Sequence, residues 1–379
     1  MRNYFRPRLD IKEKEWPSIV DIARQLSPAV TLKLLQDKGE NVPIDYFVNR
    51  DLSVRRLKSL YKSSSDKYKN LQGQWDKLNT AYNDLLAIED GRKPTKIKIS
   101  KKAHSRKEAT ALLQWSDWHI GEVVTKAKTN GLNEYNLNIA KVRVTNLVNN
   151  TIALIKKERQ HSIIDNVVIH LGGDFIGGWI HSELEQTNSM SPIEETIEAE
   201  NLIIGAIDAL QKALGFKDVK IICNRGNHGR TTRKMQFANE LETSYETMIY
   251  AGLIKHYKNT YEVDVIIPAG DIGYCKIYDY TIRYIHGHQI RYAGGVGGIS
   301  IPLNKKIAKW DKTKRADLTI LGHFHMLQYP TPRSVINGSL KGYDNFAQSI
   351  AAEYTPAQQG FQLISPTRFL VMKTPIFVD

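Results

Sequence analysis

Cysteine is almost absent: the 379 residues carry two, Cys223 and Cys275, each inside an apolar, strand-like run. So few thiols rule out a disulfide-stapled fold and suit a reducing compartment, where free Cys packs as a small hydrophobe. Long apolar runs are missing as well. No stretch reaches the roughly 18 residues of a membrane-spanning helix, and the opening residues, MRNYFRPRLDIKEKEW, contain no hydrophobic signal core. A soluble, cytoplasmic protein with no membrane partner is the expectation. The glycine cluster Gly294-Gly295-Val296-Gly297-Gly298 lacks the GK[ST] ending and the strand-to-helix setting of a nucleotide-triphosphate loop. It would instead let backbone approach a substrate or metal closely.

Acidic residues are also in deficit, 40 Asp and Glu against 53 Lys and Arg, for a formal net charge of +13. The deficit is local. Residues 1–110 hold 24 basic against 14 acidic side chains, whereas the remainder hold 29 against 26. The densest basic stretch has eight Lys or Arg within 92–107. A basic extension on an otherwise balanced body is the electrostatic footprint of a chain that holds a polyanion.

That extension has its own order. Residues 17–37 show two short amphipathic patterns broken at Ser27-Pro28, which reads as a helical hairpin. Leu57, Tyr61, Ser64, Tyr68, Leu71, Trp75, Leu78, Tyr82 and Leu85 then alternate steps of four and three, the seam of a coiled coil. Self-association through residues 57–85 follows as an expectation. The domain reading is a small helical segment over 1–48, a coiled-coil helix over 49–90, a basic linker over 91–110 and a catalytic domain over 111–379.

In the catalytic region five polar clusters stand where apolar runs end: Asp117-Trp118-His119, Gly173-Asp174, Gly226-Asn227-His228, His286-Gly287-His288 and Gly322-His323-Phe324-His325. The preceding runs, such as NVVIHLG and ADLTIL, read as buried strands. In an α/β sheet, ligands collect beyond the carboxyl ends of strands, so the clusters should share one crevice. The donors are Asp, His and Asn without thiolate, which suits Mn²⁺, Zn²⁺, Fe or Ni²⁺ and excludes an iron–sulfur cluster. They are too many for one tetrahedral ion. Two ions bridged by Asp174 use them economically. Of the other histidines, His170 lies in a strand run and reads as a core residue, His104 and His161 read as solvated, and His181 lies near the site.

The order DxH, GD, GNH, HGH, GHxH resembles the calcineurin-like metallophosphoesterase superfamily over roughly residues 110–345. Within it the resemblance points toward Mre11/SbcD-type nucleases and phage-encoded phosphoesterases, hence toward a bacterial or phage-infected cell. It implies that Asp117, His119 and His325 hold one divalent ion and Asn227, His286 and His323 the other, with Asp174 between them. Mn²⁺ is the first choice of metal. His228 would stabilise the transition state or protonate the leaving oxygen, Arg225 and Arg230 would contact phosphate, and His288 would be a substrate contact or an alternative to His286. Two positions depart from the family pattern: Gly177, where a polar residue is usual, and Gly229, where an acid usually follows the histidine. Glu122, Glu183 and Glu185 are candidates to orient His228 instead.

The implied fold is α/β, a four-layer α/β/β/α metallophosphoesterase sandwich with an N-terminal helical, coiled-coil-containing extension. The sequence pattern agrees, with helices near 135–160, 193–214 and 235–251, short strands at 262–267, 273–278 and 281–285, and strands near 332–337, 360–364 and 368–373 expected to close the second sheet. The implied activity is phosphodiester hydrolysis by metal-hydroxide attack on phosphorus. Nucleic acid is the expected substrate, DNA ahead of RNA, with a phosphomonoesterase, a protein phosphatase or a cyclic or small nucleotide phosphodiesterase as the alternatives. A partner ATPase is not expected, because nothing after the last strands corresponds to the ATPase-binding region of those nucleases.

Overall fold

The computed structural model describes residues 44–91, 107–236, 239–260, 262–292 and 298–379. The expected hairpin at 17–37, most of the basic linker, His104 and Gly294–Gly297 lie outside the described residues. The chain divides into two units, Met1–Lys101 and Lys102–Asp379.

In the first unit, helix α1 spans Ile44–Gly91, starting earlier than the expected residue 49. Its sequence has no proline, and Leu, Asp, Lys and Ser are its commonest residues. Only Gly73 interrupts the side chains of its interior. Among the described seam residues, Tyr61, Tyr68, Leu71, Trp75 and Leu78 are each about two-thirds exposed.

The second unit runs β1 (Lys107–Trp115), α2 (Leu137–Glu158), β2 (Ser162–Leu171), α3 (Ser182–Thr187), α4 (Pro192–Leu214), β3 (Asp218–Cys223), α5 (Tyr245–Tyr257), β4 (Val263–Ile266), β5 (Gly273–Ile277), β6 (Tyr280–Tyr284), α6 (Ser300–Trp310), β7 (Leu318–Leu321), β8 (Gln328–Thr331), β9 (Ser334–Ile336), α7 (Asn345–Ser349), β10 (Gln358–Ser365) and β11 (Phe369–Phe377). One sheet has the order β11-β10-β1-β2-β3-β4 and the other β5-β6-β7-β9-β8. β1 to β4 are parallel, as are β6, β7 and β9.

The period of two along each strand builds the layers. Ala111, Leu113 and Trp115 of β1 face the core shared with α2, α4 and α5, as do Val167, Ile169 and Leu171 of β2. The intervening Leu112 and Val168 point the other way, onto Ile282, Tyr284, Leu318 and Ile320 of the second sheet. Ile285, Leu321 and Ile336 then meet Leu303 and Ile307 of α6 on the far face. The order is helix, sheet, sheet, helix. Each fully buried aliphatic side chain contributes roughly 1.5–3 kcal/mol. Local signals agree: α4 starts with a capping box, Ser191 with Glu194, and Pro192 in its first turn, and ends at Gly215 in the left-handed region.

Several expectations need correction. β10 and β11 do not close the second sheet. β10 pairs antiparallel with β1 in the first sheet, because every residue of β10 is buried and a position beside β1 is covered on both faces. The second sheet is closed by β8 and β9, and β8 escaped the sequence pattern because Pro330 interrupts it, as an edge strand allows. β1 begins at Lys107, inside the expected linker, since ladder pairing with Ser162 and Ile163 uses only backbone. The helix expected at 235–251 instead starts at Tyr245, where the Ser244 side chain accepts from Glu246 N, and continues to Tyr257.

Candidate metal centre

The candidate donors stand just beyond the carboxyl ends of β1, β2, β3, β6 and β7. Their backbone is unusual. Asp117, His119, Asp174, His323 and His325 all have positive φ, between 51° and 70°, a region that is unfavourable for residues with a Cβ and persists only where surroundings enforce it. Hydrogen bonds between the turns do so: Asp117 N donates to Gly173 O at 2.9 Å, His119 N to Asp174 O at 3.0 Å, and Gly322 N to His286 O at 2.7 Å. The glycines are sterically required. A Cβ on Gly173 would lie 2.4 Å from Gly226 N, and one on Gly226 would lie 2.0 Å from Asp174 Oδ1.

Asp117, His119 and His325 form one group whose donor atoms all lie within 4.8 Å of one another. His119 Nε2 and His325 Nε2 face each other at 3.1 Å, and His325 Nε2 is 3.4 Å from Asp117 Oδ1. Behind Asp117, the Ser116 hydroxyl donates to Oδ2, and Asn337 donates to that hydroxyl at 2.8 Å. Behind His119, Nδ1 lies 2.8 Å from Glu122 Oε1, close but poorly aligned for a hydrogen bond. Lys341, itself buried, reaches Glu122 at 2.8 Å and Asp344 at 2.6 Å. Burial, with the Lys341 charge adding, pushes His119 down to about 4 against the pull of Glu122. Its imidazole is therefore neutral at pH 7. Burial works to raise the Asp117 carboxyl, but His325 and then His286 hold it below the usual carboxylate range.

Asp174, His286 and His323 form the second group. His286 Nδ1 donates to Gly172 O at 2.7 Å, which leaves Nε2 facing Asp174 Oδ2 at 3.0 Å. Fixing one imidazole nitrogen on a carbonyl so that the other faces inward is how proteins orient a ligating histidine. Burial opposes charge on His286, yet Asp174 in contact and Asp117 nearby outweigh it and push the group up to about 10. Burial and the His286 charge push His323 down to about 3. Asn227 Oδ1 is buried and has no hydrogen-bond partner. An orphaned acceptor in a cleft that Asp174 and His323 also line is what a bound cation would satisfy, so these residues fit divalent ions.

His228 stands between the groups. Its N donates to Asp174 Oδ1 at 2.8 Å, and its ring lies edge-on to His119 with centroids 4.5 Å apart. The group that orients it is not a carboxylate: Nδ1 donates to the Gly177 carbonyl at 2.7 Å, with Glu122 Oε1 farther away at 3.7 Å. Glu183 and Glu185 are exposed on α3. Gly229 is explained by a residue that sequence reasoning missed. A Cβ there would lie 2.7 Å from Glu246 Cγ, and Glu246 accepts from Phe175 N at 2.7 Å and Gly226 N at 2.5 Å, tying the two glycine turns together. Burial and Asp174 push it up to about 7. In the sequence it is an ordinary first-turn acid of α5.

Three expected substrate contacts are placed otherwise. Arg225 is buried and points to the Pro268 carbonyl at 3.4 Å and to Asp271 at 4.0 Å. Arg230 is half-buried and spends Nη1 on Asn227 O and Nε on Thr232 O. His288 turns away from Asp174 and joins Glu240 and Asp271. His170 is a core residue, bonded to Asn224 at 3.0 Å, and His161 is exposed. Also missed were Lys341 and Asp344, which line the cleft above the groups. That cleft has a volume of about 740 Å³, and its lining includes Asn227, His228, His323, His325, His181, Phe324 and Phe346.

No family model matches the chain, and no curated protein matches it. Among solved structures, Vacuolar Protein Sorting 29 from Cryptosporidium parvum is 12% identical over 68% of this chain and 87% of its own, with a TM-score of 0.29. A conserved uncharacterized protein of Streptococcus pneumoniae TIGR4, described as a predicted phosphoesterase, is 11% identical over 70% of this chain and 97% of its own, with a TM-score of 0.26. Sulfate thiohydrolase SoxB of Thermus thermophilus is 9% identical over 73% and 58%, with a TM-score of 0.31. The two-sheet architecture stands on the strand order and packing given above. No helix among the described residues is long and apolar enough to cross a membrane.

Proposed function

We propose that this chain is a metal-dependent phosphoesterase of the calcineurin-like kind, with Asp117, His119 and His325 holding one divalent ion, Asn227, His286 and His323 the other, and Asp174 between them. The observation that carries the reading is the convergence of two nitrogen and oxygen donor groups from four strand ends, with Asp174, His323 and His325 lining one cleft beside Asn227 from a fifth. Divalent ions bound there would supply Lewis acidity toward a phosphoryl oxygen and an activated water.

The chain's own residues do the rest. Gly172 O fixes the His286 ring by a hydrogen bond and the Glu122 carboxylate faces His119 Nδ1, so the donors are preorganised. His228 Nδ1 is committed to Gly177 O, so a proton for the leaving oxygen must come from Nε2. Val123, Ile180, Leu184 and Phe324 wall the cleft and limit water around the reacting phosphate.

Nucleic acid is the finer reading, DNA ahead of RNA, supported by the 24 basic against 14 acidic side chains of residues 1–110. Self-association through the 57–85 face belongs to the same reading, since pairing would cover Tyr68 and Trp75 and double the basic charge. A second reading, a compact phosphomonoester, is favoured by the cleft itself. Its lysines are Lys128 and Lys341, and Lys341 is tied to Glu122 and Asp344. The deciding experiment offers the full chain, with Mn²⁺ or with EDTA, duplex DNA, single-stranded DNA, RNA, a phosphodiester dye and a phosphomonoester dye. Metal-dependent cleavage of DNA and the diester supports the first reading, and monoester turnover alone supports the second. No hydrolysis of any substrate sinks both. Neutralising Lys93, Lys96, Lys98, Lys101 and Lys102 should weaken DNA binding and flatten its salt dependence while dye hydrolysis persists.

A further inference from the structure

Beside the second group lies a cluster that the phosphoesterase reading does not use. Glu240, in the stretch between β3 and α5, Asp271, in the turn between β4 and β5, and His288, just after β6, bring one donor atom each within 4.8 Å of the others. The His288 side chain is 2% exposed and that of Glu240 is 8% exposed. Both ring nitrogens of His288 and Oε2 of Glu240 are buried without any hydrogen-bond partner. Nε2 of His288 aims at Glu240 Oε1 from 3.8 Å, beyond hydrogen-bonding distance. Buried polar atoms left in this state destabilise the fold unless something pairs with them.

The protein offers little compensation. Arg225 Nη2 is 4.0 Å from Asp271, and the other positive groups acting on the cluster are Arg230 and His286. Two carboxylates and an imidazole from three separate chain segments face one another, with guanidinium groups only at the margin.

We propose that Glu240, Asp271 and His288 form a third divalent-cation site, distinct from the Asp117–Asp174 pair of positions. One imidazole and two carboxylates suit Zn²⁺ or Mn²⁺, whereas Mg²⁺ and Ca²⁺ take oxygen donors. The His288 ring centroid is 5.5 Å from that of His286 and 6.3 Å from that of His323, so the ion would sit behind the second group rather than in the cleft. There it would pin the 239–244 and 267–272 segments to the loop that presents His286.

Equilibrium dialysis of the full chain against Zn²⁺ or Mn²⁺, followed by mass-spectrometric metal counting, tests this. Three ions per chain are expected for the native protein and two for Glu240→Gln and for His288→Ala. Equal counts in the native protein and both variants would overturn the site. The Asp174→Asn control separates this outcome from the fate of the phosphoesterase reading, because it should lower the count with the third site intact. Anomalous diffraction from native crystals soaked in MnCl₂ is independent of how the variants fold. A peak among Glu240, Asp271 and His288 supports the proposal, and peaks confined to the Asp117 and Asp174 groups refute it.

Discussion

The two candidate ion positions are built mainly from Asp and His yet meet the proton oppositely. In the first, burial and Lys341 push His119 down to about 4, so a neutral imidazole waits for a cation. In the second, Asp174 overrides burial and pushes His286 up to about 10, so a proton occupies the place a cation would take. The difference originates in the nearest charge. His119 has a carboxylate behind it that Lys341 already neutralises, whereas His286 has a carbonyl behind it and a bare carboxylate in front. His119 is thus ready for a cation at neutral pH, and His286 must lose a proton first.

Asp174 belongs to both sides, through His286 and through its contact with His228 N, so its removal should collapse the contrast. Asp174→Asn is expected to lower phosphodiester-dye hydrolysis at saturating Mn²⁺ by about a thousandfold or more, roughly 4 kcal/mol of barrier. His286 should return toward the range of a buried neutral imidazole. Steady-state kinetics with metal counting checks both. Activity within tenfold of native would remove Asp174 from the centre.

Glu122→Gln should break the first position alone. The substitution takes the negative charge from behind His119 and leaves Lys341 to Asp344, and loss of such a supporting partner typically weakens metal binding by about 10–100-fold. Competition titration against a chromophoric chelator should show one weakened position and one of native affinity. Equal weakening of both would mean that Glu122 acts through His228, which lies 3.7 Å away.

The contrast itself is read most directly by pH. A histidine whose folded pKa is raised keeps its proton until pH passes that value. Metal entry at His286 should therefore release one proton, and its affinity should rise about tenfold per unit between roughly pH 6 and 9. A histidine with a depressed pKa gives no such slope in that range, so entry at His119 should be flat. Calorimetry in two buffers of different ionisation enthalpy counts the protons. Two parallel pH profiles would contradict the assignment of protons to the second position.

The strand-end clusters and the helix-sheet-sheet-helix layering were legible because each depends on local pattern: an apolar run that ends in a donor, in three of the five clusters with a glycine just before it. What stayed hidden is what supports the donors. Glu246, Lys341 and Asn337 reach the site from elements far away in sequence, and nothing in their own neighbourhoods distinguishes them from a helix-capping acid, a surface lysine or a strand-end amide. Arg225 misled for the same reason. Its place flanking His228 suggested phosphate, but in the turn after β3 its side chain goes inward toward Pro268 and Asp271. The final strands misled because apolar content announces a buried strand without saying which sheet buries it.

The smallest expected effect concerns the support behind Asp117. Asn337 donates to the Ser116 hydroxyl at 2.8 Å and accepts from Gly360 N at 2.7 Å, all of it buried. Asn337→Ala strands Gly360 N and frees the hydroxyl, but Ser116 still donates to Asp117 Oδ2, and His323 N still donates to Oδ1 at 3.0 Å. The expected cost is therefore one of stability, about 1–3 kcal/mol, seen as a fall of several degrees in Tm. Affinity at the first position should change far less than in Glu122→Gln. If Asn337→Ala instead emptied that position without moving Tm, the first group would depend on its distant support as strongly as the second depends on its charge, and the contrast between them would lie in the proton alone.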